Sequence, residues 1–134
     1  MKVLKTDTQD LKNSNDMVLA RQKVRVWTTE LRFSLVDQTK LVTAASELAR
    51  NALEHGKGGV MTLETIENGP KMGLRLIFED QGPGIADLSL ALKDGYTSAS
   101  GMGLGLGGSK RLVNEFSIES EVGKGTKVTV IRWR

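Results

Sequence analysis

The sequence predicts an α/β two-layer sandwich, with helices over one face of a mixed, mainly antiparallel sheet. Two stretches of helical period precede two pairs of alternating strands, each pair closes on a glycine-bearing turn, and a further helix lies between the pairs. With 134 residues, 39% hydrophobic and 26% charged, the chain has the composition and length of one domain with one core. A single domain over residues 1–134 is therefore expected.

The opening KVLKT alternates weakly and reads as an edge strand. After Ser14-Asn15-Asp16, residues of good N-cap type, MVLARQKVRVWTTELRF carries Val18, Leu19, Val24, Trp27 and Leu31 at a rough helical period. Ser34 and Asp37 resemble a capping box that opens LVDQTKLVTAASELARNALEH, a second helix with Leu41, Ala44, Ala45, Leu48 and Ala52 as its apolar stripe. Gly56 is placed to terminate it at C′.

GVMTLETIENGPKMGLRLIFED then reads as two strands around Asn68-Gly69-Pro70, the second running into Asp80. QGPGI is followed by a short helical piece near Asp87 to Lys93 and by a loop from Asp94. GGSKRLVNEF, with Leu112, Val113 and Phe116 at helical spacing, predicts a helix whose start includes glycines. FSIESEVGKGTKVTVIRWR closes the chain as a hairpin turning at Gly123-Lys124-Gly125. No feature of this pattern selects a strand order.

Several function classes fall away on composition. The chain has no cysteine, which excludes disulfides, thiolate metal sites and a cysteine nucleophile. No apolar run approaches the roughly 18 residues of a membrane helix, and MKVLKTDTQDLKNSND lacks the apolar region of a secretion signal, so a cytoplasmic location and no membrane partner are expected. Net charge is +3 with basic residues dispersed and aromatics at 4%, which argues against a nucleic-acid partner.

Three clusters can carry chemistry. Glu47 and Asn51 lie one helical turn apart beside the apolar stripe. An Asn carbonyl suits magnesium, which takes few protein oxygens and completes its octahedron with phosphates and water, and a carboxylate one turn earlier can accept a proton; a boundary pair bonded only locally is the plainer alternative. In DQGPGI, Asp80 to Ile85, an acid at a strand end can accept from an exocyclic amine, while Gly82 and Gly84 permit a tight turn or close approach of a flat ligand. A turn that merely ends a strand would look the same.

SGMGLGLGG, Ser100 to Gly108, has glycine at five of nine positions. Gly103, Gly105 and Gly108 match the spacing of the dinucleotide fingerprint, but no strand precedes them and residue 123 is glycine where an acid is required; Walker A and protein-kinase motifs are also lacking. Bare N–H groups ahead of a helix still favour an anion.

Together ELARNALEHG, a hairpin, EDQGPGI, GMGLGLGG and a final GKGT turn resemble the N box, G1 box, G2 box and Thr-bearing strand of the GHKL ATPases, the gyrase, heat-shock chaperone, histidine kinase and mismatch-repair superfamily. The likeness covers about residues 34 to 134. Within it, SELARN, EDQGPGI and KRLVNEF resemble the switch serine/threonine kinases of the stressosome, close kin of bacterial anti-sigma-factor kinases. A histidine kinase is disfavoured, since the chain has one histidine and no room for a separate dimerisation helix pair.

The resemblance implies the GHKL, or Bergerat, fold, with ATP and Mg2+ as cofactors. It makes Glu47 the catalytic base toward a substrate hydroxyl and Asn51 the magnesium ligand. Asp80 would accept from the adenine amino group, with Gly82, Gly84 and Ile85 beside the ring and Thr126 assisting. Gly101, Gly103, Leu104, Gly105, Leu106 and Gly107 would form a lid on the phosphates, and Arg50 or Lys110 would add charge neutralisation.

The function implied is an ATP-dependent protein serine/threonine kinase that acts by partner switching on a STAS-domain antagonist or stressosome scaffold, with a downstream phosphatase or other signalling enzyme as a second partner. The alternative is a nucleotide-dependent anti-sigma or partner-binding regulator with little kinase turnover. A third reading, the ATPase fragment of a larger machine, predicts phosphate release without a protein acceptor.

Overall fold

The computed structural model of the chain describes residues 1–86, 92 and 105–134. In order these form β1 (Lys2–Leu11), α1 (Ser14–Glu30), α2 (Leu35–Glu54), β2 (Gly59–Asn68), β3 (Lys71–Asp80), α3 (Gly105–Arg111), β4 (Glu115–Glu121) and β5 (Gly125–Trp133). The strands make one sheet in the order β1-β2-β3-β5-β4. Each described pairing is antiparallel, in keeping with the mainly antiparallel sheet that was expected. The two short hairpin connections enforce this locally, and β5 enters between β3 and β4 by running opposite to both.

Alternation along the strands decides what is buried. Met61 and Leu63 of β2, Leu74, Leu76 and Phe78 of β3, and Val128 and Val130 of β5 share one core with Val24 and Trp27 of α1 and Leu41 and Leu48 of α2. The β2–β3 hairpin turns at Gly69, at φ 60°, with Asn68 opposite Lys71. The second hairpin turns at Gly123, at φ 83°, with Glu121 opposite Gly125. Both turns fall where the sequence puts them.

α1 starts one residue earlier than its cap types suggest. Asn13 is the N-cap, its Oδ1 accepting from the Asp16 N–H at 2.9 Å, while Asp16 Oδ2 accepts from the Lys12 N–H at 2.8 Å. The buried stripe is Ala20, Val24, Trp27 and Thr28; Val18 and Leu19, expected inside, are both 38% exposed. Hydropathy misled here: a small Ala and a Thr hold the inward positions, and the Thr28 hydroxyl satisfies itself on the Val24 carbonyl at 2.8 Å.

α2 matches its expected stripe, with Leu41, Ala44, Ala45, Leu48, Ala49 and Ala52 buried. Ser34 Oγ accepts from the Asp37 N–H at 3.1 Å, as a capping box requires. The Asp37 carboxylate binds Arg132 of β5, Oδ1 to Nη2, at 2.7 Å, and Arg132 Nη1 reaches the Leu112 carbonyl at 2.9 Å. This guanidinium holds the Asp37 carboxyl below its ordinary value and pins the last strand to the first turn of α2.

The third helix is shorter than predicted. It ends at Arg111, and Phe116 belongs to β4, opposite Val130. A brief apolar run cannot by itself separate helix from strand, and here the strand wins by closing the sheet. The helical piece expected near Asp87 to Lys93 and the loop after it lie outside the described residues, except Leu92, which packs on the core. Among the described residues no helix is long and apolar enough to cross a membrane.

Candidate functional site

The last turns of α2, the end of β3, the start of α3 and the β4–β5 hairpin supply the candidate residues. Glu47 and Asn51 lie one turn apart on α2. Glu47 is buried, its side chain 10% exposed, and both its oxygens accept from Arg50 Nη2, at 2.6 and 2.7 Å. Its Oε2 also accepts from the Gly105 N–H, at 3.3 Å. The glycine-rich segment thus meets α2 at the carboxylate that the spacing singled out.

Asn51 is half-buried on the same helix. Its carbonyl receives the N–H groups of His55 and Gly56, at 2.9 and 3.1 Å, and ends α2. Its side-chain amide makes no hydrogen bond among the described residues, so its Oδ1 is open to a ligand. No group of three or more His, Cys, Asp or Glu that could hold a metal ion occurs among the described residues. A divalent cation at Asn51 would have to draw its other ligands from phosphate and water, a donor set that suits magnesium.

Gly56 does occupy C′, but not in a left-handed conformation; Lys57 at φ 60° and Gly58 at φ 99° make that turn. Gly56 is required for another reason. A Cβ there would overlap the Asp80 side chain, which lies directly over its α-carbon. Asp80 Oδ1 accepts from the Gly82 N–H at 3.0 Å, and Oδ2, which lies over Gly56, makes no hydrogen bond among the described residues.

Gly82 and Gly84 were read as permitting a tight turn or the close approach of a flat ligand. In the structure a Cβ on Gly82 would strike the Gly56 backbone, and one on Gly84, at φ 78°, would strike the Glu121 carbonyl. Both glycines therefore serve close approach between segments of this chain, and they draw the turn after Asp80 tightly against α2 and β4. Gly125, at φ 107°, likewise leaves room for the Asp80 carbonyl.

Thr126 stands opposite Asp80 in the β3–β5 register. Its hydroxyl lies 2.8 Å from that of Ser120, which also donates to the Gly125 carbonyl at 3.1 Å and accepts from the Ile85 N–H at 2.8 Å. Since Ser120 has a single hydroxyl proton and spends it on Gly125, Thr126 donates to Ser120. Ser120 escaped the sequence reading because only strand register brings it to Thr126 and Ile85. Ile85 packs against the core, and Leu106, Gly107 and Ser109 are buried in α3. Gly101, Gly103 and Leu104 lie outside the described residues.

An open cavity of about 290 Å³ lies at this end of the sheet, lined by Asp80, Ser120 and Thr126 together with Glu79, Glu121 and Lys124. Glu47 and Asn51 are not among its lining. The described geometry thus has two parts: an acid with an open acceptor at the sheet end, and a carboxylate–amide pair on α2 facing a glycine-rich helix start.

Helices packed on one face of an antiparallel sheet agree with the ATPase fold that the sequence resembles. Residues 36–134 match the family model described as histidine kinase-, DNA gyrase B-, and HSP90-like ATPase. The chain is 45% identical over 118 residues to the serine/threonine-protein kinase RsbT of Bacillus subtilis (strain 168), covering 88% of this chain and 89% of that protein. It is 31% identical over 124 residues to the anti-sigma F factor of Clostridium kluyveri, covering 88% of this chain and 86% of the other. The crystal structure of the RsbU and RsbW domains of Rv1364c from Mycobacterium tuberculosis superposes with a TM-score of 0.66 at 25% identity, over 100% of this chain and 33% of that one. The chain belongs to the histidine kinase-, DNA gyrase B- and HSP90-like ATPase family.

Proposed function

We propose that this chain is an ATP-dependent protein serine/threonine kinase that works by partner switching in the cytoplasm, phosphorylating a Ser or Thr on a STAS-domain antagonist or stressosome scaffold. The supporting observation is the placement of Glu47: a buried carboxylate, one turn before an Asn whose side-chain oxygen has no hydrogen bond among the described residues, and in contact with the first residue of a glycine-rich helix. A binding module has no need of a base there. The 45% identity to a protein named a serine/threonine kinase supports the same reading.

In this reading Asp80 accepts from the adenine amino group through its free oxygen, and Thr126, across the register, closes the same edge. Asn51 Oδ1 would help to hold magnesium, which supplies charge neutralisation on the phosphates. Glu47 takes the proton of the attacking hydroxyl. Beyond Gly105, whose N–H meets Glu47, the next N–H groups of α3 would offer hydrogen bonds to phosphate oxygens. Catalysis of this kind rests on positioning and charge, with little covalent work for the protein.

The similarity to anti-sigma F factors supports a second reading, a nucleotide-dependent regulator that controls its partner by contact. Incubation with labelled ATP, magnesium and a STAS-domain protein of the same organism separates the two. The kinase reading predicts label on that protein and none with Glu47→Ala; a wild-type chain that binds nucleotide and partner without transfer would favour the regulator.

A further inference from the structure

We propose that Arg50 is a phosphate ligand of the bound nucleotide that Glu47 holds in reserve, so that nucleotide binding and release of the base are one event. The inference rests on the reading of Glu47 and Asn51 given above. Arg50 Nη2 sits between both oxygens of Glu47, at 2.6 and 2.7 Å, with the two side chains 24% and 10% exposed. An i,i+3 pair on an open helix surface contributes little. This pair is largely withdrawn from water, and its carboxylate also takes the Gly105 N–H.

That arrangement leaves Glu47 poorly placed to act. Of the about four acceptor positions on its two oxygens, the guanidinium and the Gly105 N–H take three, whereas a general base needs one directed at the hydroxyl whose proton it takes. An Arg50 that moves onto phosphate returns two of them to Glu47. Its partner Glu47 lies one turn from Asn51 on α2, so an anion brought to Asn51 by a metal approaches the helix face onto which the guanidinium is already turned. A guanidinium matches phosphate oxygens as well as it matches a carboxylate. The phosphates and Glu47 therefore compete for one cation, and whichever anion holds Arg50 sets the state of the base.

Calorimetric titration of Mg·ATP into the full chain, with Glu47→Gln, Arg50→Ala and the double variant, reads this competition; thermal melts confirm that each is folded. Glu47→Gln is expected to tighten ATP binding about tenfold, the scale of one charge-assisted hydrogen bond returned to the ligand. Arg50→Ala is expected to weaken it by a similar factor, and the double variant to match Arg50→Ala. Should Arg50→Ala fail to fold, Arg50→Lys, which keeps the charge without the fork, replaces it and should show a reduced response to Glu47→Gln. Equal tightening by Glu47→Gln in both backgrounds would mean simple relief of charge repulsion and would overturn the proposal. No tightening with Arg50 present would reduce the pair to a structural brace. Wild-type chain that does not bind Mg·ATP would sink the kinase reading as well, whereas binding with additive variants would sink this inference alone.

Discussion

The carboxylate of Asp80 occupies the space in which any residue but glycine at position 56 would carry its side chain. Through this contact the end of β3 is locked to the end of α2. The position of the acid is thereby fixed relative to Asn51, five residues before Gly56 on the same helix end. Gly56→Ala is expected to displace the Asp80 side chain, cost about 1–3 kcal/mol of stability through overpacking, and weaken ATP binding in parallel. Chemical denaturation and calorimetry check the two effects; unchanged values would mean that the contact positions nothing.

Asp80 is proposed as the adenine acceptor on the resemblance, and among the described residues only one of its oxygens has a hydrogen bond, from the Gly82 N–H. Asp80→Asn can present an NH2 group where the ligand also presents one. A loss of about 1–3 kcal/mol in ATP affinity is expected. Calorimetry that finds wild-type affinity would place the base elsewhere.

Ser120 ties the turn after Asp80 to the second hairpin by meeting the Ile85 N–H, the Gly125 carbonyl and the Thr126 hydroxyl at once. Ser120→Ala removes all three partners and is expected to cost about 1–3 kcal/mol in unfolding free energy. Urea denaturation measures it; a change under a few tenths would show that water replaces the hydroxyl freely.

Asp37 ionises more readily in the folded chain than its ordinary value of 3.8, first because Arg132 hydrogen-bonds its carboxylate. A carboxyl lowered by folding contributes stability that is present above 3.8 and is lost as pH falls through the lower folded value. Asp37→Asn should therefore be less stable than wild type at pH 7, with the gap closing below pH 3.8. Unfolding curves across that range check the sign, and a gap independent of pH would assign the effect to packing.

α2 and both hairpins were legible because their signals are local: a capping serine, an apolar stripe and glycines at turns. The same holds for Glu47 and Asn51, whose proximity follows from helical period alone. What stayed illegible depends on contacts between distant segments. Gly56 stands at C′ as expected, but its need to lack a side chain shows only with Asp80 over it, the tightness at Gly84 shows only with β4 beside it, and Ser120 had no signal at all. Arg132, one of the dispersed basic residues, carried no signal of its own, yet it is the partner of Asp37. Phe116 shows the opposite failure, in which a convincing short-range period gave way to the closure of a sheet edge.

The central claim is that the Glu47–Asn51 face of α2 and the acid at the end of β3 together hold a magnesium-bound adenine nucleotide. Calorimetric titration of ATP into the purified chain, with magnesium and then with a chelator, tests it most directly. The account predicts saturable binding that requires magnesium and is weakened by Asn51→Ala. Binding of equal strength with and without the cation, or none at all, would contradict it.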